Sequence, residues 1–312
     1  MLAAVLHDPT SAPRAEEFAD PPLAGGEVSA RVLAAGLHQL VRIHANGTHY
    51  SSHKQYPMIP GVDGVAELPD GRRAYIGWLR PPYGTFAERA AVDPSRVLEV
   101  PRQLAPERVA ALVNPASSSW LALRLRAELT AGERVLVLGA TGTSGQLAVQ
   151  LARVLGAGRV VAVGRNPQVL GRLAADHVLQ LDAPDFAEQL RQELTCHGTD
   201  IVLDYLWGAP AEATLAALLA SRAHLAKRVR YVNIGQSAGG SLPLSPHVLR
   251  SMNLAMLGSG LGSVTPAEIA RELPGLLAHA GSLTIDLDPT PLTAVDTAWT
   301  TADAGRRIVI MP

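Results

Sequence analysis

The sequence predicts an α/β protein with two domains, a compact antiparallel β domain and a doubly wound parallel sheet. Two observations lead to this fold class. The first 115 residues hold short β-type runs between prolines and glycines, which interrupt any long helix. From Ser117 onward, short apolar runs alternate with helical patterns of about 10 to 15 residues, as in a parallel sheet covered by helices on both faces.

Residues 1–115 are expected to form the β domain. Candidate strands are the runs VSARVLAAG, GVAEL, RRAYIGWL, FAERAAV and SRVLEV. The histidine-rich segment from His38 to His53 has no helical pattern, so we expect no regular helix there. The C-terminal runs SLTIDLD and RRIVIMP are β-like again, and we expect residues 281–312 to return to this domain.

Residues 116–280 are expected to form the second domain. Its first element is a helix over SSSWLALRLRAEL, for which the serines supply N-caps. Strands follow at RVLVLG, RVVAVG, HVLQLD, DIVLDY, RVRYVNIG and NLAMLGSG. The helices of this domain are expected at 144–155, 167–175, 184–194, 210–220 and 266–280.

Composition and charge exclude several classes of protein. The formal net charge is −1, so no electrostatic case exists for binding nucleic acid or an acidic membrane surface. No stretch offers the roughly 18 apolar residues of a membrane span, and the apolar run at the N-terminus is too short for a secretory signal. Cys196 is the single cysteine, which excludes a disulfide framework. We therefore expect a reduced, cytoplasmic protein.

The stretch GATGTSGQ places three glycines between an apolar strand and a long helical pattern. Glycines let backbone N–H groups approach an anion closely, and a helix N-terminus attracts negative charge. No G-K-[ST] follows the turn, so we predict a dinucleotide pyrophosphate rather than a nucleoside triphosphate. A tight turn that binds nothing is the alternative. The residues predicted to hold the cofactor here are Gly139, Thr141, Gly142, Thr143, Ser144 and Gly145.

The end of the following strand, Gly164-Arg165-Asn166, discriminates between NAD and NADP. An NAD site places Asp or Glu there to bind the ribose 2′-hydroxyl. This chain has no carboxylate at that point, and the Arg165 guanidinium suits a 2′-phosphate. We predict NADPH, held by all three residues. A solvated loop arginine and a helix cap at Asn166 are the alternatives, and the cap is compatible with cofactor binding.

The residues around the glycine turn are similar to a known family. GERVLVLGATGTSGQLAVQLARVLGAGRVVAVGRN, followed by AADHVLQLD and DIVLDYLWG, resembles the medium-chain dehydrogenase/reductase superfamily, and most closely its zinc-free quinone oxidoreductase branch. Upstream, AAGLHQLVRIHANGTHY, YPMIPGVDGVAEL and YGTFAERAAV resemble the signatures of that family's first domain.

The resemblance implies a GroES-like antiparallel β domain and a Rossmann domain, with cofactor and substrate in the cleft between them. It also implies a homodimer formed through an edge strand, here LAMLGS. Further cofactor contacts are implied for Tyr205, Leu206, Trp207, Ile234, Gly235, Gln236 and Arg306.

Four residues are candidates for contact with the substrate. Tyr50 stands where quinone oxidoreductases often carry a cleft tyrosine, and its phenol is a candidate catalytic donor to a carbonyl oxygen. His38 occupies the place of a cysteine in zinc-dependent members and of an asparagine in quinone oxidoreductases, which leaves the substrate scope open. Asn114 and Ser118 lie at the domain crossover, where polar contacts and a packing or capping role are equally open.

Two competing patterns occur near Tyr50. His49 and His53 have H-x₃-H spacing, and Asp63 is close enough in sequence to add a carboxylate to a zinc site. The partner positions of the family's zinc sites are lost, so we predict no metal. Tyr50 and Lys54 also spell the Y-x-x-x-K pair of short-chain dehydrogenases, but they precede the glycine turn, whereas those enzymes place the pair after it.

The function that these features predict is an NADPH-dependent, zinc-free reductase that transfers a hydride to a quinone, an activated alkene or a related carbonyl compound. An NADPH-dependent ketone or aldehyde reductase is the alternative among enzymes. A non-catalytic NADPH-binding redox sensor is the alternative from another class. The small-molecule substrate is the expected partner, beside a second copy of the chain.

Overall fold

The computed structural model describes residues 1–48, 52–221, 227–260, 262–301 and 306–312. The chain divides into two compact units. Unit 1 consists of residues 1–114 and 273–312, and unit 2 consists of residues 115–272.

Unit 1 is built on β-sheet. Its strands are β1 (Leu2–Val5), β2 (Arg14–Glu17), β3 (Val28–Leu37), β4 (Asp63–Glu67), β5 (Arg73–Gly77), β6 (Arg89–Val92), β7 (Leu98–Glu99), β14 (Leu287–Pro291) and β15 (Arg307–Met311). β1 pairs with β2, and the main sheet of the described residues has the order β14-β15-β3-β4-β5-β7, with β6 also on β3. All pairs are antiparallel except β14 with β15. Residues such as Phe86, Ile59 and Ile310 fill its core.

The helices of unit 1 correct two expectations. They are α1 (Gln39–Ala45), α2 (Pro106–Leu121), α8 (Pro266–His279) and α9 (Val295–Thr300), of which α2 and α8 run across the boundary with unit 2. The expectation of no helix after His38 was wrong, because α1 buries Val41 and Ala45 on one face. The prediction that a helix begins at Ser117 was also wrong. Proline fits the first turn of a helix, so α2 begins at Pro106, and the serines lie inside it.

Unit 2 is a parallel sheet covered by helices. Its described strands are β8 (Arg134–Leu138), β9 (Arg159–Gly164), β10 (His177–Gln180), β11 (Ile201–Asp204), β12 (Val229–Asn233) and β13 (Leu254–Gly258). They lie in the order β10-β9-β8-β11-β12-β13, and every pair is parallel. Its core contains Leu138, Leu179 and Tyr231. The antiparallel sheet of unit 1 and this parallel sheet confirm the predicted fold class.

The helices of unit 2 match the prediction in place but not in every bound. They are α3 (Thr143–Val154), α4 (Pro167–Leu170), α5 (Phe186–His197), α6 (Gly208–Ser221) and α7 (Pro246–Ser251). α4 is shorter than predicted because it ends at Gly171. α7 was not predicted. Ser245 caps it, with Pro246 at its first position.

Within the described residues, no helix combines the length and the apolar character that a membrane span requires.

Candidate functional site

The strand order of unit 2 locates a binding crevice within that unit. From β8 the chain proceeds outward through β9 and β10, and it then returns to β11 on the other side of β8. In open parallel sheets, ligands bind at the carboxyl ends of the strands where the order reverses in this way. The glycine turn (residues 139–145) follows β8, and a second turn (residues 205–207), the Tyr205 turn, follows β11. Both turns therefore lie at this reversal point.

The glycine turn depends on two glycines for different reasons. Gly139 has φ +88°, a conformation that side chains disfavour, and its N–H donates to the Val163 carbonyl at 2.9 Å. Gly145 is buried in the first turn of α3, where a Cβ would lie 2.1 Å from the Gly139 carbonyl oxygen and 2.7 Å from Ala140 Cα. Only glycine therefore allows α3 to pack this closely against the end of β8.

Backbone and side-chain donors are available at the start of α3. The first helical hydrogen bond runs from Gln146 N–H to the Gly142 carbonyl, so the N–H groups of Thr143, Ser144 and Gly145 have no partner among the described residues. The hydroxyls of Thr141, Thr143 and Ser144 likewise have none there, and all three side chains are half-buried. This set of donors at a helix N-terminus suits a phosphate group.

The next strand ends beside the same turn. A Cβ at Gly164 would lie 2.4 Å from Thr141 Cγ2, so this glycine lets β9 approach the turn. Arg165 follows, with its side chain exposed and no ion-pair partner among the described residues. Asn166 caps α4, because its Oδ1 accepts the N–H groups of Gln168 at 3.0 Å and Val169 at 3.2 Å.

Asp204, which the sequence analysis did not select, organises the turn after β11. Its Oδ1 accepts the N–H groups of Leu206 at 2.7 Å and Trp207 at 2.9 Å, and Tyr231 donates its hydroxyl to Oδ2 at 2.8 Å. The side chain is fully buried, and this burial raises the pKa of Asp204 above its usual value. Trp207 adopts φ +58°, which is costly for a bulky residue, and the Asp204 carboxyl holds the chain in that turn.

We expect Asp204→Ala to lower the free energy of unfolding by about 3 kcal/mol, because two backbone N–H groups and the Tyr231 hydroxyl lose their acceptor in the core. Asp204→Asn keeps an acceptor oxygen without the buried charge, and its cost should stay below about 1 kcal/mol. Urea unfolding curves of the two variants test this, and an equal cost for both would contradict it.

The segment after β12 packs on the Tyr205 turn. Ile234 N–H donates to the Asp204 carbonyl at 2.7 Å, and a Cβ at Gly235 would lie 2.7 Å from the Tyr205 carbonyl oxygen. Leu206 lies next to Gly139, since a Cβ placed on Gly139 would lie 3.1 Å from Leu206 Cδ2. The predicted cofactor residues of unit 2 are thus brought together at the ends of β8, β9, β11 and β12. That they bind a cofactor stays a prediction.

The hydroxyl of Tyr205 is engaged within unit 2. It lies 2.7 Å from Ser119 Oγ and 3.5 Å from Ser118 Oγ, and Ser118 also donates to the Pro115 carbonyl at 2.8 Å. Burial raises the pKa of Tyr205, so the phenol stays protonated. Ser118 therefore has a local structural role, as the alternative interpretation allows, and substrate contact by it stays a prediction.

The remaining candidates belong to unit 1. His38 is buried, and its Nε2 lies 3.0 Å from Asp63 Oδ1. Asn114 is half-buried in α2, and Arg306 is exposed just before β15. Tyr50 lies outside the described residues, so its assignment as the catalytic donor stays a prediction.

The His38–Asp63 pair also bears on a zinc site. His38 stands where zinc-dependent members of the resembled family carry a cysteine, and its nitrogen is hydrogen-bonded to Asp63. Among the described residues, no three His, Cys, Asp or Glu side chains converge as metal ligands. His49 of the H-x₃-H pattern lies outside the described residues, so the expected absence of a metal stays a prediction.

Comparison with known proteins relates the chain to dehydrogenases and reductases. The family described as zinc-binding dehydrogenase matches residues 145–278. The probable NADPH-dependent quinone reductase tdiC of Emericella nidulans is 28% identical over 353 aligned positions, covering 95% of each chain. The mycocerosic acid synthase-like polyketide synthase of Mycobacterium tuberculosis is 29% identical over 92% of this chain, which spans only 14% of that much longer protein.

A solved structure extends the similarity to the whole chain. The quinone oxidoreductase from Thermus thermophilus, which was also solved in complex with NADPH, is 29% identical and has a TM-score of 0.82. The match covers 100% of both chains. With the antiparallel and parallel sheets described above and the glycine turn at the strand-order reversal, these similarities place the chain in the medium-chain dehydrogenase/reductase superfamily, in its quinone-reductase-like branch.

Proposed function

We propose that this chain is an NADPH-dependent reductase that transfers a hydride to a quinone, an activated alkene or a related carbonyl compound. The observation that carries the proposal is the donor set of unit 2, in which N–H groups without a partner among the described residues, at the start of α3, are followed by the exposed Arg165 at the end of β9. The names of the quinone reductases from Emericella nidulans and Thermus thermophilus support the choice of cofactor and reaction class.

Each part of this donor set has a role in the proposal. The N–H groups of Thr143, Ser144 and Gly145 bind the pyrophosphate, and Arg165 binds the 2′-phosphate. The turns at 205–207 and 234–236 hold the nicotinamide end. When bound, the cofactor supplies the hydride, and the protein supplies distance, orientation and exclusion of water.

A side-by-side assay with purified protein tests the reaction class. We expect NADPH oxidation with a quinone or an enone, and slower oxidation with NADH. Turnover of a simple ketone alone would favour the carbonyl reductase. Tight NADPH binding without oxidation across all acceptors would favour the redox sensor.

Tyr50 is proposed as a hydrogen-bond donor to the acceptor oxygen. We expect Tyr50→Phe to lower kcat about ten-fold, because the loss of one donor to a developing oxyanion is costly. The Kd for NADPH should stay within about two-fold of the original value, because the proposed hydrogen bond is to the acceptor oxygen and not to the cofactor. Stopped-flow kinetics measure kcat, and a fluorescence titration measures the Kd. An unchanged kcat would show that the Tyr50 hydroxyl does not act as a donor in the reaction.

Two further expectations belong to the same proposal. β13 is an edge strand of the unit 2 sheet, which is the position that dimerisation through LAMLGS requires. Sedimentation velocity of the purified chain tests the proposed homodimer. The cytoplasmic location, expected from the single cysteine, also stays a prediction.

A further inference from the structure

The function proposed above takes backbone N–H groups from the glycine turn and leaves the side chain of Thr141 without a role. Thr141 lies between the end of β8 and the start of α3. Its side chain is half-buried, and its hydroxyl has no hydrogen-bond partner among the described residues. Polar groups that are withdrawn from water are normally hydrogen-bonded, so this hydroxyl is a donor that a ligand in the crevice could use.

The packing of this side chain shows which part of the crevice it faces. A Cβ placed on Gly164 would lie 2.4 Å from Thr141 Cγ2, 2.9 Å from its Oγ1 and 3.1 Å from its Cβ. The whole threonine side chain therefore lies on Gly164, which is the last residue of β9. Only a residue without a side chain leaves this space open. The Thr141 hydroxyl is thus held against the end of β9.

Backbone hydrogen bonds fix the same contact. The Val163 carbonyl accepts the Ala140 N–H at 2.8 Å. This bond directly precedes Thr141 in the turn and Gly164 in the strand. Arg165 follows Gly164, and consecutive Cα atoms are only about 3.8 Å apart. The Thr141 hydroxyl and the Arg165 side chain therefore start from neighbouring points of the crevice.

Gln146 holds the backbone that carries this threonine. Its side-chain Nε2 donates to the Thr141 carbonyl at 3.2 Å, and its own N–H donates to the Gly142 carbonyl at 2.9 Å. One residue at the start of α3 thus binds two successive carbonyls of the turn. These two bonds hold the peptide between Thr141 and Gly142 in one orientation, which restricts where the threonine side chain lies.

We propose that the Thr141 hydroxyl and the Arg165 guanidinium together bind the 2′-phosphate of NADPH, which makes Thr141 a specificity-determining residue. This inference rests on the proposed NADPH-dependent function. The arginine supplies positive charge and two parallel N–H groups, and the threonine supplies an O–H donor from the side of the glycine turn. Hydrogen bonds to a charged acceptor are stronger than those between neutral groups. NADH has a 2′-hydroxyl in place of the phosphate and gains less from both residues.

The test uses two replacements that separate the hydroxyl of Thr141 from its methyl group. Thr141→Val keeps the branched shape that lies on Gly164 and removes the donor, whereas Thr141→Ser keeps the donor and removes the methyl group. We expect Thr141→Val to lower the ratio of the Kd for NADH to the Kd for NADPH about ten-fold, as for the loss of one hydrogen bond to a charged group. In Thr141→Ser the ratio should stay within about two-fold of that of the unmodified chain. Fluorescence titrations with NADPH and NADH measure both constants.

Thr143→Val is the matched control on the same turn. Thr143 is also a half-buried threonine whose hydroxyl has no partner in the described part of the chain, but it is the first residue of α3. The proposed function places the pyrophosphate there, and both nucleotides carry a pyrophosphate. Any loss of affinity should therefore be equal for NADPH and NADH, so that the ratio of the two constants stays within about two-fold of the original.

Gln146 acts through Thr141 as a positioning residue. Gln146→Met keeps an unbranched side chain of similar length without its donor. We expect it to lower the same ratio about three-fold, because the threonine hydroxyl is then held less firmly beside the 2′-phosphate. An equal loss for both nucleotides would contradict this role, since support of α3 alone does not distinguish NADPH from NADH.

A Thr141→Val variant with the ratio of the unmodified chain would overturn the inference. So would a Thr141→Ser variant whose ratio falls as far as that of Thr141→Val, because packing and not the hydroxyl would then be responsible. If Thr141→Val does not fold, Thr141→Ala removes the donor in its place and is judged in the same way. Failure of the proposed function looks different, since the unmodified protein would then bind NADPH no more tightly than NADH.

Discussion

Replacing Arg165 with alanine should weaken NADPH binding about 100-fold, or roughly 2.7 kcal/mol, and leave NADH binding within about two-fold. The guanidinium is exposed at the end of β9, without an ion-pair partner in the described part of the chain, and only NADPH carries the 2′-phosphate that it would meet. Fluorescence titrations with both nucleotides measure the two dissociation constants.

A second arginine provides the control for charge. Arg172 is also exposed in unit 2, and it lies beyond the end of α4. Arg172→Ala removes the same charge beyond the end of α4 rather than at the end of β9, and it should leave both dissociation constants within about two-fold. Equal losses for NADPH and NADH in Arg165→Ala would refute the assignment of the 2′-phosphate to this residue.

Adding one methyl group at Gly145 should abolish tight cofactor binding. In Gly145→Ala the Cβ would lie 2.1 Å from the Gly139 carbonyl oxygen and 2.7 Å from Ala140 Cα, and both of these neighbouring atoms belong to the backbone, so no side chain can move aside. α3 must shift away from the turn, and its N–H groups then lose their position. We expect about a 100-fold loss of NADPH affinity and about 2 kcal/mol lower stability, measured by titration and by urea unfolding.

Gly171→Ala is the matched control for the added methyl group. At Gly171 the nearest atom to a new Cβ is the Pro167 carbonyl oxygen at 3.4 Å, and φ is −66°, which any residue adopts. Its affinity for NADPH should not change. If Gly145→Ala binds NADPH as tightly as this control, the close packing of α3 on the turn has no part in holding the cofactor.

The sequence predicts the parts of the fold that depend on local patterns. The alternation of apolar runs and helices gives the parallel sheet of unit 2, and the glycine spacing gives the turn before α3, because both patterns extend over neighbouring residues. α1 escaped prediction because seven residues are too few for a helical period to stand out. The start of α2 escaped because the serines from Ser117 onward were taken as N-caps, whereas the helix begins at Pro106, where a first-turn proline loses no hydrogen bond.

The candidate sites divide in the same way. Gly139 and Gly145 are recognisable in sequence because they share one turn. Asp204 is not, since its role depends on Tyr231 in the neighbouring strand and on the backbone of the turn that follows. The buried His38–Asp63 pair depends on the pairing of β3 with β4, and no local pattern shows which residues such pairing places side by side.

The position of β15 has a consequence for the synthesis of the molecule. This strand follows unit 2 in sequence, yet it lies between β14 and β3 and pairs with Ala35, Gly36 and Leu37. While the ribosome is still making unit 2, β3 presents an open edge that other nascent chains can join. Unit 2 is continuous in sequence and meets no such delay. Loss of the final strand should therefore harm yield through aggregation before it harms the nucleotide-binding unit.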